Sequence, residues 1–415
     1  QVAPCYGKNG HPSLDPALIL KFLFLLFFQK VSSERDFFEQ LPLRLDWLWF
    51  CDYDLDEPTP NHSVLSKARK RWGPKVFDQF FLNILEQCHQ AGLINGQTIH
   101  VDSSQIAANA AIERARPQLR QVCRQVTDKL DDAQADTIED TIEDGGQDGG
   151  DTVSRTAVSP VDGDARIGSK PGETVLGYKD TRAVDDQCGI ITATITTPAD
   201  VHDAHELVPA VAAHEANTAS EAGTVVTDSI YGTADNYQWL QQQGKRCCIP
   251  HQRHGTRTNP EVSHDRFTYD PQRDCYICPA GELLHRYDQQ SQNGGVRYRA
   301  ARAVCEACRY FKDCVQSRHW GRQIRRNDRA EVIAWADNCG SREHRRRLQA
   351  RRRYKAEGSF ADAANNHGFK RARWRGLASM QIQNLLIAAI QNLRKLLRYD
   401  RFGRANHGIL RSTLA

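Results

Sequence analysis

The sequence feature that most constrains the fold is a pair of short, β-branched runs that each end at an aspartate. Residues 98–102 read Thr-Ile-His-Val-Asp, and residues 225–228 read Val-Val-Thr-Asp. In the first run, strand alternation puts His100 and Asp102 on the face opposite Val101. Such runs are typical of buried strands whose last residue emerges at the edge of a sheet.

The segments around these two runs predict the order of a mixed sheet. The patterns indicate a β-hairpin, two helices and a last short strand, at residues 174–196, 204–215, 233–244 and 247–249. With the two aspartate runs included, the order is strand, hairpin, helix, strand, helix, strand. This order predicts an α/β fold with one mixed sheet flanked by helices.

Three acidic residues are candidates for one active site. Asp102 and Asp228 end the two strand-like runs, where open α/β sheets place their chemistry, and Glu357 follows an arginine-rich helical run. Three carboxylates from separate elements suit Mg²⁺, which leaves room for water and phosphate oxygens. Two such ions, about 3.5–4 Å apart, can activate a water and stabilise a leaving oxygen. The competing interpretation is that each aspartate is a turn or cap residue.

The motifs around these acids resemble those of DDE-type bacterial insertion-sequence transposases. The matching stretches are residues 99–110 (Ile-His-Val-Asp-Ser-Ser-Gln-Ile-Ala-Ala-Asn-Ala), 226–232 (Val-Thr-Asp-Ser-Ile-Tyr-Gly), Arg353 with Glu357, 367–371 (His-Gly-Phe-Lys-Arg) and 375–377 (Arg-Gly-Leu). The resemblance runs nearly end to end, from residues 10–16 to 391–396. Each motif is short, and it is their order and spacing together that are specific.

The resemblance implies a ribonuclease-H-like catalytic domain, which agrees with the element order read from the residues. It implies that Asp102, Asp228 and Glu357 bind Mg²⁺ or Mn²⁺ and that the enzyme cuts DNA at element ends. The freed 3′-hydroxyl would then be joined to target DNA. The implied partner is double-stranded DNA, as terminal inverted repeats and as target, with a homodimer in the DNA complex.

The third motif departs from the family pattern. That pattern reads Tyr, two residues, Arg, three residues, Glu, six residues, Lys, and this chain has Ala350 and Ala364 where the Tyr and the Lys belong. Tyr354 is displaced, and Lys370 comes six residues late. One alternative is therefore a decayed copy that binds DNA without cutting it. Another alternative is a ribonuclease-H-like nuclease without strand joining.

Basic side chains before and after Glu357 are candidates for binding DNA. Seven arginines lie between residues 341 and 353, and they would repel one another unless a polyanion were near. The expected DNA-binding residues are Arg345, Arg346, Arg352, Arg353, Lys370 and Arg371. The alternative is a solvated charge run.

The chain is expected to have two domains with two insertions. Residues 1–95 predict an all-helical N-terminal domain, in which a basic helix at residues 61–71 either docks on DNA or is a solvated face. Residues 96–415 predict the catalytic domain. Within it, residues 128–165 are expected to be an acidic, disordered insertion. The first residue is not methionine, so we expect the sequence to be cut from a longer one.

Residues 251–330 form a cysteine-rich stretch that predicts a structural zinc site. Two Cys-x-x-Cys pairs, Cys275 with Cys278 and Cys305 with Cys308, are followed by Cys314. Spacing alone leaves two ligand sets open, one with Cys275 and one with Cys314. The resemblance implies the set of Cys278, Cys305, Cys308 and Cys314. Unliganded buried thiols are the alternative.

Composition indicates a cytoplasmic protein with no membrane segment, and the resemblance to bacterial transposases implies that it is nucleoid-associated. The 13 cysteines are an odd number in a long chain without a secretory signal, which favours reduced thiols. The apolar run at residues 18–28 is shorter than the roughly 20 residues that span a bilayer. The net charge of +4 hides acid before residue 151 and base after residue 299.

Overall fold

The computed structural model describes residues 2, 5, 14–111, 116–117, 157–170, 173–250, 259–288 and 295–412. The chain forms two compact units, which are Gln1–Thr227 with Arg346–Ala415, and Asp228–Arg345. The expected acidic, disordered insertion at residues 128–165 lies outside the described residues, apart from 157–165.

Four helices open the first unit. They are α1 (Pro16–Phe28), α2 (Glu34–Gln40), α3 (Leu45–Cys51) and α4 (Ser63–Gln90). Asp15 caps α1 by accepting a hydrogen bond from Ala17 N at 2.9 Å, and proline follows at the first helical position. Within α4, Gly73 has φ of +65°, and the helix is interrupted there before Pro74. The basic helix expected at residues 61–71 therefore forms the part of α4 before this break.

Five strands of the first unit form a mixed sheet. They are β1 (Thr98–Ala107), β2 (Arg166–Lys170), β3 (Glu173–Asp185), β4 (Ile191–Pro198) and β5 (Thr224–Val226). The predicted hairpin is β3 with β4. The first residues of β3 pair antiparallel with β2. On its other side β3 pairs antiparallel with β1, and β1 pairs parallel with β5, so the order is β4 and β2 beside β3, then β1, then β5. The predicted mixed α/β sheet is confirmed.

Strand β1 is longer than the sequence pattern indicated. We expected it to end at Asp102 and the alanine-rich run after it to be helical, but β1 continues to Ala107. The prediction was wrong because every residue from Ser103 to Ala107 has a partner on β3, and Ser103 Oγ lies 2.7 Å from Thr181 Oγ1. Strand pairing here overrides helix propensity.

The helix α5 (Leu207–Thr218) packs on β4 and precedes β5. His214 of this helix is fully buried, and its Nδ1 lies 2.7 Å from Thr192 Oγ1 on β4. The other ring nitrogen, Nε2, lies 3.1 Å from the carbonyl oxygen of Gly96, just before β1. A buried imidazole with both nitrogens paired holds α5 on the sheet.

The second unit contains a helix, a five-stranded antiparallel sheet and three further helices. In chain order these are α6 (Ala234–Gln242), β6 (Arg246–Cys248), β7 (Thr268–Asp270), β8 (Cys275–Ile277), β9 (Leu283–Asp288), β10 (Val296–Arg299), α7 (Arg302–Glu306), α8 (Phe311–Cys314), β11 (Gln323–Arg326) and α9 (Ala330–Asp337). The sheet has the order β11, β10, β9, β8, β7. Tyr276, Tyr298 and Leu284 belong to its core.

Three helices complete the chain, α10 (Arg342–Arg352), α11 (Gly358–His367) and α12 (Leu377–Ser412). Asn392 of α12 is buried beside β4, where its amide accepts from Ile191 N at 2.8 Å and donates to Ile191 O at 2.7 Å. Its neighbours Ile387 and Ile390 join the core that α1 to α4 build. In the parts of the chain that the structure describes, no helix is both long and apolar enough to cross a membrane.

Candidate active site

Asp102 lies in the middle of β1, at the point where the neighbouring parallel strand has ended. The last residue of β5, Val226, pairs with His100, so Asp102 has no β5 partner beside it. On the other side it faces Arg182 of β3. Asp102 is 9% exposed, so its carboxylate stands on a largely buried face of the sheet. The carboxyl end of a parallel strand commonly borders such a site.

Glu357 is positioned by an irregular helical turn. Between α10 and α11, residues Arg353–Glu357 form a π-turn, in which each residue bonds five residues along the chain rather than four. Residues five apart therefore share a face, and Arg352 points the same way as Glu357. In a regular α-helix, Arg353 would have stood next to Glu357. Arg353 is instead exposed.

Arg352 connects Asp102 and Glu357. Its Nη1 lies 3.4 Å from Asp102 Oδ2, and its Nη2 donates to Glu357 Oε1 at 2.9 Å. The guanidinium is only 11% exposed, whereas the Glu357 side chain is 50% exposed. Two carboxylates from the sheet and the π-turn thus converge on one positive group. A cation between two carboxylates relieves their mutual repulsion.

A second set of contacts ties the same helix to β1. His100 is fully buried, and its Nε2 lies 2.8 Å from Asp186 Oδ1. The other carboxylate oxygen of Asp186 pairs with Arg351 at 2.8 Å. Burial lowers the pKa of His100, and the Asp186 carboxylate opposes that shift. The sequence pattern put His100 on the same face as Asp102, but nothing in it pointed to Asp186.

Asp228 is the first residue of the second unit. It caps the short 3₁₀ turn Ser229–Tyr231, and its Oδ1 accepts a hydrogen bond from Ile230 N at 2.8 Å. Val226 pairs with His100 within the first unit, and in the sequence Asp228 follows Val226 by two residues, as Asp102 follows His100. The two aspartates therefore hold matching positions along the chain. Across the described ranges, no three His, Cys, Asp or Glu side chains are close enough to hold a metal ion.

The basic side chains expected to bind DNA have different surroundings. Within the second unit, Arg345 donates to the carbonyl oxygens of Ala336 and Asp337 at the end of α9. Arg346 is exposed. Lys370 Nζ donates to Ser104 Oγ at 2.8 Å, two residues along β1 from Asp102. Arg345 is thus used in its own unit, whereas Lys370 lies beside the acidic face of β1.

The expected zinc ligands line one small cavity in the second unit. Its walls include the thiols of Cys278, Cys305, Cys308 and Cys314, whereas Cys275 is absent from them. Backbone N–H groups donate to two of these sulfurs, Glu282 N to Cys278 Sγ at 3.3 Å and Arg322 N to Cys305 Sγ at 3.4 Å. Burial raises the pKa of Cys305, and the neighbouring thiols raise it further. The four sulfurs share a cavity but do not enclose a metal position.

Comparison with known protein families identifies two parts of the chain. A transposase DDE domain matches residues 277–397, which include Glu357. Residues 277–397 are thus similar to a transposase DDE domain. A second model, the transposase domain DUF772, matches residues 1–71 and so covers the first three helices. No curated protein matches the chain.

These two matches confirm the resemblance to insertion-sequence DDE transposases. A DDE domain implies a ribonuclease-H-like fold, in agreement with the mixed sheet of the first unit. Asp102 and Asp228 lie outside both matched ranges. Their assignment in the DDE transposase therefore depends on the strand register and on the contact of Asp102 with Arg352.

Proposed function

We propose that this chain is a DNA transposase that cleaves the ends of a mobile element and joins the freed 3′-hydroxyl to target DNA. The family matches support the general role. The observation that carries the proposal is the convergence of Asp102 and Glu357 on the Arg352 guanidinium. Carboxylates that share one positive group are also within reach of a divalent cation in its place.

Asp102 and Glu357 fit a hard cation by their chemistry, since both offer carboxylate oxygens and Glu357 is half-exposed to solvent. Asp228 is proposed as the third ligand because of its matching position after β5. When bound, Mg²⁺ or Mn²⁺ would polarise the phosphodiester and lower the pKa of an attacking water. The protein's own part is to hold the carboxylates and to exclude bulk water on the buried side.

Arg352 is proposed to neutralise the two carboxylates until the cation arrives. Its Nε is buried and has no hydrogen-bond partner, so the present pose of this side chain is not fully satisfied. On leaving the carboxylates, the guanidinium would be free to contact a DNA phosphate, where its planar fork pairs with two oxygens. Arg352 would thus pair with the carboxylates of the protein before the cation binds and with a phosphate of the DNA afterwards.

Double-stranded DNA is the proposed partner, as terminal inverted repeats and as target. Arg346, Arg353, Lys370 and Arg371 have exposed positions in the chain and would neutralise backbone phosphates. Lys67 and Lys70 of α4 are exposed. We therefore propose that these two lysines dock the helix on DNA. A homodimer in the DNA complex is proposed because two element ends must be joined in one reaction.

A structural zinc ion in the second unit is proposed on the four-cysteine cavity. Two of the four sulfurs already accept peptide N–H groups, which hold Cys278 and Cys305 at the cavity where zinc would bind them as thiolates. With thiolates in all four positions, the ion would leave no open site for catalysis. Its role would be to hold α7 and α8 on the antiparallel sheet.

The decisive experiment measures cleavage of DNA that carries the element's terminal repeat, together with Mn²⁺ binding followed by electron paramagnetic resonance. The variants Asp102→Asn and Glu357→Gln should each lower cleavage by about 100-fold or more and weaken Mn²⁺ binding. Asp200→Asn is the matched control, since Asp200 is an exposed acid in a turn of the same unit.

The outcomes separate the candidate functions. Cleavage by Asp102→Asn at the parent rate would refute the assigned chemistry. A parent chain that binds the repeat but does not cut it with Mg²⁺ or Mn²⁺ would be a decayed copy, which Ala350 and Ala364 favour. Cleavage without strand joining or end specificity would instead indicate a general nuclease.

A further inference from the structure

A cavity of about 470 Å³ lies in the first unit, beyond the far end of β1 from the paired carboxylates. Its lining includes Leu26, Lys30, Asn109, Arg371, Arg373 and Trp374. The volume falls in the range of about 300–1,000 Å³ that is usual for ligand sites. It is too large for a single ion and too polar to be a packing defect of the core.

The cavity carries an excess of positive charge. Its one carboxylate, Glu34, is already paired with Arg69 and accepts a hydrogen bond from Trp374 Nε1 at 2.9 Å. Arg373 donates to the carbonyl oxygen of Leu26 at 3.1 Å and, among the residues that the structure describes, has no acidic partner within ion-pair distance. Burial lowers the pKa of Arg373 to about 10, so it keeps its charge at neutral pH. The cavity is therefore suited to an anion.

Two further cations stand at the cavity with their charge available. Among the described residues, the guanidinium of Arg371 has no hydrogen-bond or ion-pair partner, and the residue is exposed. Lys30 Nζ donates to a neutral acceptor, the carbonyl oxygen of Asn365, at 2.9 Å. No acid in the described part of the chain pairs with either charge. Arg and Lys in this state are the usual partners of phosphate oxygens.

The lining of the cavity also contains a rigid apolar surface. It is the ring of Trp374, which is fixed by its bond to Glu34 and by the Arg69 guanidinium, 3.7 Å from its centroid. The edge of Phe27 packs against the same ring at 5.5 Å. A ligand with a charged group and an adjoining carbon ring would contact both the cations and this ring, as a phosphate with its deoxyribose does.

The cavity is connected to the paired carboxylates by the loop that follows α11. Lys370 accepts a hydrogen bond from Ala107 N at 3.0 Å, and Ala372 N donates to Ala107 O at 2.8 Å, so this loop runs along the end of β1. Lys370 reaches Ser104 on the same strand. From Asp102 to Ala107 the strand spans about 17 Å. Measured along the axis of B-DNA, that is the rise of about five base pairs.

We propose that this cavity binds one backbone phosphate and its deoxyribose, about five base pairs along the duplex axis from the scissile phosphate of the DNA substrate. Arg371, Lys30 and Arg373 contact the phosphate, and the ring of Trp374 contacts the sugar. This inference rests on the proposed function, because it needs DNA in the acidic site. It adds a position on the substrate and the residues that hold it.

The test is a scan of terminal-repeat DNA in which one phosphate at a time is replaced by an uncharged methylphosphonate. In the parent chain, one position about five base pairs from the cut should weaken binding by about tenfold. In Arg371→Ala the same methylphosphonate replacement should not weaken DNA binding any further. The magnitude of the slope of log affinity against log salt concentration should also fall by about one. Lys30→Asn should act in the same way. Asparagine tolerates the φ of +55° found at Lys30, so this variant keeps the backbone.

Arg35→Ala is the matched control, since Arg35 is an exposed arginine close in sequence that does not line the cavity. It should keep the parent interference pattern. If Arg371→Ala also keeps that pattern while the parent binds and cuts DNA, the cavity assignment is wrong and the proposed function stands. If the parent binds no DNA, both fail. A third outcome is that the parent binds inorganic phosphate saturably, that Arg371→Ala abolishes this binding, and that no methylphosphonate position weakens DNA binding. This outcome would identify a free anion as the ligand and overturn the proposal.

Discussion

Replacing Arg352 by glutamine tests the central contact of the site. The change leaves Asp102 and Glu357 facing each other without a cation. Removing one partner of a buried ion pair costs about 3–5 kcal/mol. Here the 3.4 Å separation from Asp102 and the half-exposed Glu357 reduce that cost. We therefore expect Arg352→Gln to lower the free energy of unfolding by about 2 kcal/mol in metal-free buffer.

Mg²⁺ should restore part of this loss. A cation that binds only the folded chain adds about 1.4 kcal/mol at ten times its dissociation constant. In the parent the ion must first displace Arg352, so the stabilisation by Mg²⁺ should be larger in Arg352→Gln than in the parent. The assay is urea unfolding of the full chain at pH 7, with and without Mg²⁺.

A double-mutant cycle with Asp102→Asn supplies the refuting result. If Arg352 and Asp102 interact as their geometry indicates, the two substitutions should be non-additive by about 1 kcal/mol or more. Strict additivity, or an equal response to Mg²⁺ in parent and variant, would show that the guanidinium does not hold the carboxylates. Arg353→Gln is the matched control, because this neighbouring arginine is exposed.

Three further predictions follow from other parts of the chain. Gly177→Ala should lower the free energy of unfolding by about 3 kcal/mol, because a Cβ there would lie 1.9 Å from a carbonyl oxygen of β1. The control is Gly163→Ala, whose Cβ would meet nothing within 4 Å. In the same urea assay it should change the free energy of unfolding by less than about 0.5 kcal/mol. Burial lowers the pKa of Lys395 to about 8, so between pH 8 and about 10.4 the unfolded chain binds more protons and stability rises with pH. Lys395→Met should remove that rise. The check is to measure the free energy of unfolding of both chains at pH 7, 8, 9 and 10. If the two free energies differ by the same amount at every pH, the reasoning is wrong. Cys314→Ala should lose zinc as measured by elemental analysis, while Cys275→Ala should retain it; the reverse result would favour the other ligand set.

Local signals in the sequence sufficed for much of the fold. The caps at Asp15 and Ser33, the break at Gly73 and the hairpin of β3 with β4 are each set by residues adjacent in the chain. The caps form because side-chain oxygens accept hydrogen bonds from nearby N–H groups. The break follows from a glycine at positive φ, and the hairpin follows from alternating apolar residues. Such effects act over a few residues and can be read without knowing the tertiary structure.

The features that the sequence did not reveal depend on partners far along the chain. The second half of β1 is a strand because β3, about 75 residues later, pairs with it. Asp186 matters because folding brings His100 and Arg351 to its two oxygens. Arg352 was one of four arginines of the run that were expected to bind DNA, yet it turns inward to the acids. No periodicity in the run distinguishes this arginine from its neighbours.

The π-turn also fixes the rotational phase between α10 and the glutamate. A helix advances by about 100° per residue, so deleting one residue within Arg353–Glu357 would rotate the whole arginine-bearing helix by that angle relative to Glu357. Counting back from the glutamate in any aligned sequence would then select a different arginine. The identity of the inward-facing cation in such helices is therefore set by the local count of residues per turn, and a one-residue length change can reassign it without any substitution.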